Sequence, residues 1–231
     1  MSIKKHIPNT ITCCNLLSGC VSIFFMCNGH VLWASAMIFI AAVFDFLDGF
    51  AARTLNAKSP IGGELDSLSD VVSFGVAPSF IIAWLLGRSG ISWMVVDVNL
   101  FPMLAFILAA FAAVRLAKFN IDTRQTSSFI GLPVPAVGLF IASLPFAHMS
   151  LVTNPCFLLA TVAIFSWLMI SEVPFFSFKI KNLRFKENIL RYFVVIFAIV
   201  ALIILKLVAL PFIFLFYILL SVVCYRGEKM K

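Results

Sequence analysis

Apolar residues fall along this chain in long blocks separated by short polar stretches, and not in the alternation of a half-buried sheet. Eight blocks stand out: 9–28, 31–54, 62–87, 98–119, 130–152, 155–172, 188–207 and 209–225. A helix that spans a bilayer needs roughly 20 mostly apolar residues, so the pattern predicts an all-α, polytopic membrane helical bundle of about eight transmembrane helices. The blocks consume nearly the whole chain. The expectation is therefore one integral membrane domain over 1–231, with core helices at about 4–172 and a basic loop plus two further helices at 173–231.

Composition agrees: 62% of residues are hydrophobic, 12% are charged and the mean hydropathy is +1.09, against about 25% charged residues in soluble domains. The apolar run from Ile11 lacks a small-residue cleavage pattern, which favours a retained first helix over a signal peptide. Lys and Arg concentrate on one side if the N-terminus is cytoplasmic, with only Arg88 and Lys206 opposite. This predicts both termini in the cytoplasm. The net charge of +7 then reads as positive-inside bias and attraction to anionic lipid, not as a nucleic-acid surface. Six cysteines lie mostly within apolar runs, without metal-ligand spacing, and behave as small hydrophobes.

Polar interruptions of the blocks carry the candidate chemistry. Half of the ten acidic residues lie in the stretch from Asp45 to Asp70, between apolar flanks. Ionisable groups at that depth are costly and mark function by default. At helical periodicity Asp45, Asp48, Gly49 and Ala52 share one stripe, with Arg53 at its edge, and Gly62, Asp66 and Asp70 form another. Counted outward from a turn at Ala57, Asp48 matches Asp66 in depth and Asp45 matches Asp70. Four facing carboxylates need cations. Two divalent ions would neutralise them, oxygen-only ligands select Mg²⁺ or Mn²⁺, and paired ions clamp a phosphoryl centre in displacement chemistry. Two structural acid–base pairs or a proton pathway are the competing readings, and an ion or proton transporter is the non-enzyme alternative.

Two other segments invite comparison with a binding site. Ile7-Pro8-Asn9-Thr10-Ile11-Thr12-Cys13-Cys14-Asn15 is suited to capping and interhelical hydrogen bonds, or to a polar wall for a ligand. Arg115 and Lys118, three apart on a helix, can point at one anion or simply extend to the membrane rim. Gly75 and Pro78 predict a kink or a close helix contact in the third span. His30 reads as an ordinary interfacial histidine.

Asp45-x₂-Asp48-Gly49-x₂-Ala52-Arg53-x₈-Gly62-x₃-Asp66-x₃-Asp70 resembles the motif of the CDP-alcohol phosphotransferases at every position. The resemblance implies metal ligation by Asp45, Asp48 and Asp66 with Asp70 beside them, and Asp70 as the base. It implies a nucleotide site at Gly49, Ala52, Arg53 and Gly62, joined by Asn9 and Thr12. Ser69-Asp70-Val-Val-Ser73-Phe74-Gly75-Val-Ala-Pro78, the Asn9 segment, and Arg115-Leu-Ala-Lys118-Phe-Asn120 followed by Gly131-Leu132-Pro133 resemble the serine-using, membrane-embedded branch of that family. What this implies is phosphatidyl transfer from CDP-diacylglycerol to L-serine with release of CMP, glycerol phosphate or inositol phosphate being the alternative acceptors. Arg115, Lys118 and Asn120 would then hold the serine carboxylate or a lipid phosphate. The resemblance also implies six core helices, so that two of the eight are additions, a homodimer, and an active site facing the cytoplasm from the cell membrane.

Overall fold

The computed structural model describes residues 6–57, 59–122, 129–147, 152–175 and 185–228. Lys4, Lys5, Lys58, Arg124, Lys179, Lys181, Arg184, Lys229 and Lys231, on which much of the predicted orientation rests, lie outside the described residues. Eight helices follow in order: α1 His6–Cys27, α2 Val31–Thr54, α3 Pro60–Leu86, α4 Phe101–Ile121, α5 Val134–Phe146, α6 Pro155–Ile170, α7 Phe185–Leu205 and α8 Ala209–Glu228. The described residues also include a short hairpin, β1 Met94–Val95 with β2 Val98–Asn99, and an antiparallel pair, β3 Phe129–Ile130 with β4 Pro174–Phe175, that joins the segments on either side of α5 and α6. The chain is thus an all-α, polytopic membrane protein.

α1 to α4 are each long and apolar enough to cross a membrane, whereas α5 and α6 are shorter. The block at 130–152 shrinks at both ends. Gly131, at φ 79°, turns the chain ahead of α5, and the Leu144-Pro145-Phe146 turn closes it in 3₁₀ geometry. The apolar run Phe193–Leu220 is a hairpin and not one long span. The ring centroids of Phe193 and Phe216 stand 5.6 Å apart, and those of Phe197 and Phe216 4.2 Å. A continuous helix would separate Phe193 from Phe216 by about 35 Å. Lys206, at φ 53°, makes the reversal between α7 and α8.

α3 is the central element. Its C-terminal half buries Ile81, Ile82, Leu85 and Leu86 completely, against a core that includes Ile38 of α2, Leu108 of α4 and Ile141 of α5. Midway, Val71–Val76 is a π-helical turn. Pro78 has no N–H to give Phe74, and a local π adjustment accommodates such a break in a spanning helix. Around this turn the neighbours approach to backbone distance. A methyl group on Gly19 of α1 would fall 2.8 Å from Ser73 Cα, one on Gly138 of α5 would fall 2.9 Å from Phe74 Cα, and one on Gly75 would meet Ala112 Cβ of α4 at 3.0 Å. The close contact expected at Gly75 is therefore made with α4, and three helices converge on the π turn through small residues.

Candidate active site

α2 and α3 present their polar stripes to each other because the connection between them is short and well capped. Asn56, at φ 48°, ends α2 in left-handed geometry, with Ala57 N–H donating to the Ala52 carbonyl across 3.0 Å. Such a C-terminal cap satisfies carbonyls that the helix end leaves open. Ser59 then caps α3: its Oγ accepts from Gly62 N–H at 3.0 Å, and Pro60 occupies the first turn. The helix accordingly begins two residues before the apolar block did, since cap residues are polar by nature.

Within this antiparallel pair, Asp45, Asp48 and Asp66 each bring one carboxylate oxygen within 4.8 Å of the others. Asp45 and Asp66 face each other directly. Asp48 is 5% exposed. Its Oδ2 is buried without a hydrogen-bond partner, and so is Asp66 Oδ1. An orphaned buried acceptor costs about 1–3 kcal/mol, more for a charged group, so two of them in one triad make a ligand-shaped deficit. Oxygen-only donors at this spacing suit a hard divalent ion.

Asp70 sits one turn further along α3, outside the 4.8 Å triad and 7% exposed, with Asp45 and Asp66 as its foremost carboxylate neighbours. It is held from the side of α1: Asn15 Nδ2 donates to Asp70 Oδ1 at 3.2 Å. Two serines face α1: Ser73 Oγ donates to the Asn15 carbonyl at 2.9 Å, and Ser69 Oγ, which donates to the Leu65 carbonyl of its own helix at 2.8 Å, also lies 3.3 Å from the Thr12 carbonyl. Sequence reasoning offered Asn15 interhelical hydrogen bonds or a polar ligand wall, but did not pair it with Asp70 or join Ser69 and Ser73 to α1. The signal was present as Ser69 and Ser73 four apart and Thr12 and Asn15 three apart, each pair on one helix face.

The other predicted positions divide. Thr12 is buried with its hydroxyl beside Asp48, donating to the Pro8 carbonyl at 3.0 Å. Asn9 borders Gly62, where a methyl group would lie 3.0 Å from Asn9 Oδ1. A methyl group on Gly49 would meet the Arg53 guanidinium at 3.6 Å, and Ala52 is half-buried while Arg53 is exposed. Gly49, Ala52, Arg53, Gly62 and Asn9 thus border the carboxylates from the α2–α3 turn side. Asn120 is tied to α3, accepting from Ser67 Oγ at 3.1 Å and donating to Glu64 Oε2 at 3.3 Å. Lys118 is exposed. Arg115 is 5% exposed, its guanidinium 5.1 Å from the Phe119 ring centroid and its Nε buried without a hydrogen-bond partner. The contacts Gly75 to Ala112 and Ser67 to Asn120 set an antiparallel register that carries Arg115 to the level of the Asp70–Ser73 turn.

The profile of the CDP-alcohol phosphatidyltransferase family matches residues 5–178. A Bacillus subtilis protein named CDP-diacylglycerol–serine O-phosphatidyltransferase is 35% identical over 175 residues, covering 76% of this chain and 92% of that protein. A Helicobacter pylori protein of the same name is 36% identical over 140 residues, covering 58% of this chain and 54% of that longer protein. An archaetidylserine synthase from Methanothermobacter thermautotrophicus is 29% identical over 171 residues, covering 73% and 69%.

Proposed function

Since the chain belongs to the CDP-alcohol phosphatidyltransferase family, we propose that it makes phosphatidylserine, transferring the phosphatidyl group of CDP-diacylglycerol to L-serine with release of CMP. It is accordingly an enzyme, and the transporter considered from the sequence falls away. The observation that carries the reading is the meeting of Asp45, Asp48 and Asp66 with Asp70 alongside. The names of the relatives support serine as acceptor, since they agree on serine while differing in the lipid they attach it to.

Enzymes of this family depend on divalent metal. The two unpartnered carboxylate oxygens and the oxygen-only donor set fit Mg²⁺ or Mn²⁺, and Asp45, Asp48 and Asp66, with Asp70 beside them, would hold one or two ions. A bound divalent ion supplies charge neutralisation and Lewis acidity toward phosphoryl oxygens. Around it the chain's own residues do the rest. Gly49, Ala52 and Gly62 leave room for a nucleotide against the helix backbones, and Arg53 offers a cation to a phosphate oxygen. Asp70 accepts the serine hydroxyl proton as the oxygen attacks the β-phosphorus; the new O–P bond forms as the P–O bond to CMP breaks. Asn15 keeps one Asp70 oxygen occupied as an acceptor, leaving the other for that proton. Arg115, at the depth of Asp70, binds the serine carboxylate, and burial favours such a charge-assisted pair. The reaction runs at the cytoplasmic face of the cell membrane, in a homodimer.

The test is an acceptor panel. Purified protein with CDP-diacylglycerol and Mg²⁺ or Mn²⁺ is expected to release CMP and form lipid with L-serine alone. Product with glycerol phosphate or inositol phosphate instead would overturn the serine assignment.

A further inference from the structure

The connection between α3 and α4 is a β-hairpin whose apolar side chains stand largely exposed among the described residues. Met94 pairs with Asn99 and Val95 with Val98, and the Leu100 N–H donates to the Trp93 carbonyl at 2.9 Å. The side-chain period of a strand is two, so Trp93, Val95 and Val98 share one face with Leu100. Trp93 is 59% exposed, and Val95 and Val98 are 44% and 53% exposed. The other face carries Asn99, whose Oδ1 accepts from Trp93 N–H at 2.9 Å and from Phe101 N–H at 3.1 Å, and whose Nδ2 donates to the Ile91 carbonyl at 3.2 Å. The hairpin is therefore apolar and exposed on the Trp93–Val95–Val98 face, while the opposite face holds Asn99, which braces the backbone, beside the exposed Met94.

Its tip is more unusual. Val96 and Asp97 both have positive φ, 46° and 62°, the geometry of a type I′ turn that ordinarily takes Asn-Gly. A β-branched residue is strained there, and Val96 at 89% exposure gains nothing from the rest of the chain in return. Contact with an apolar phase outside the chain supplies the missing gain.

We propose that this hairpin lies in the membrane–water interface of the leaflet opposite the carboxylates, with the Trp93–Val95–Val98 face and Val96 in the acyl boundary. Position and size select lipid over protein. The hairpin follows the end of α3, some 20 residues and about 30 Å of helix beyond Asp66. It runs directly into α4, whose Met103 and Ile107 are themselves exposed apolar residues on a spanning helix, so its bare face continues a lipid-facing surface. Arg88, with its guanidinium 3.4 Å over the Trp84 ring, marks the polar boundary at the same end of α3, where Trp residues and cations gather. Four side chains are far short of the roughly 800 Å² per partner that a stable protein interface buries. The unpaired edges of a two-stranded hairpin limit it to the interface, because those groups need water or headgroups.

The test reads Trp93 in the full chain, reconstituted in lipid nanodiscs at one copy and at two copies per disc, with transfer assayed at two. The difference between wild-type and Trp93→Phe emission isolates this residue from the other three tryptophans. Its spectrum is expected to be blue-shifted, quenched by phospholipid brominated near the acyl-chain top, and shielded from aqueous iodide. Val96→Asp should raise iodide access to Trp93 several-fold while leaving phosphatidyl transfer unchanged. Quenching by iodide and not by bromolipid would overturn the proposal. So would shielding that appears only when two copies share a disc, since a second chain would then be the cover.

Discussion

Asn15 of α1 and Asp70 of α3 are joined by a 3.2 Å hydrogen bond between two buried side chains. The bond fixes the orientation of a carboxylate that is anchored on its own helix only by the backbone. Because Ser73 Oγ holds the Asn15 carbonyl at 2.9 Å, the donor is itself held in place. α1 thus contributes to the site without supplying one of its acids.

Asn15→Leu keeps the volume and removes the donor. A hydrogen bond to a charged group contributes about 1.5–3 kcal/mol, which corresponds to roughly 10- to 100-fold in rate. The expected outcome is a fall of that size in kcat with the KM for serine and for CDP-diacylglycerol little altered. Steady-state assays in mixed micelles check it, and a variant with full kcat would remove Asn15 from the site.

The proposed base and the proposed ligands separate by what they spare. Asp70→Asn is expected to abolish turnover while retaining CDP-diacylglycerol binding, measured by calorimetry or filter retention. Asp45→Ala should weaken Mn²⁺ binding, read by electron paramagnetic resonance, together with nucleotide-lipid binding. An unaltered Mn²⁺ titration in the latter would exclude Asp45 as a ligand.

Arg115 offers a buried guanidinium whose Nε has no partner. Arg115→Gln should raise the serine KM at least tenfold, by loss of a charge-assisted contact, and leave the KM for CDP-diacylglycerol close to wild type. Equal changes in both constants would mean that Arg115 supports the fold and not the acceptor.

Glycines at the π turn and at the start of α3 are expected to differ sharply in tolerance. Gly138→Ala places a methyl group 2.9 Å from Phe74 Cα, whereas at Gly63 nothing lies within 4 Å. Overpacking costs about 1–3 kcal/mol, while Ala in place of Gly in a helix interior gains up to about 1 kcal/mol. Thermal unfolding in detergent should therefore show a lower Tm for Gly138→Ala and an unchanged or higher one for Gly63→Ala.

The acidic stripes were legible because their spacing is set by the helical repeat and their depth by a short turn, both of which are local properties. Counting outward from the turn set Asp45 against Asp70, and Asp45 is the foremost carboxylate neighbour of Asp70; what counting left out is that Asp45 also faces Asp66 and that Asp70 is held by α1. The double role of the Phe193–Leu220 run was legible as two blocks, although Lys206 gives the reversal no Gly or Pro. The ends of α5 were not legible, because hydropathy continues past Gly131 and Pro145 while the backbone does not. Asn15 was legible as interhelical glue or as part of a polar wall for a ligand, but not as the partner of Asp70, since the two lie 55 residues apart and no periodicity links them.

The π turn at Val71–Val76 makes α3 a device with two angular phases. A π turn inserts a residue without adding a turn, so the segment bearing Asp66 and Asp70 is rotated by about 100° relative to where an unbroken α-helix from Ile81 would put it. Substitutions within 71–76 alter packing. Regular α winding with all residues kept would swing both carboxylates away from Asp45 and Asn15 and dismantle the site, whereas deleting one residue there would restore regular winding and leave both carboxylates facing their partners. What sets the chemistry along this helix is its winding as much as residue identity.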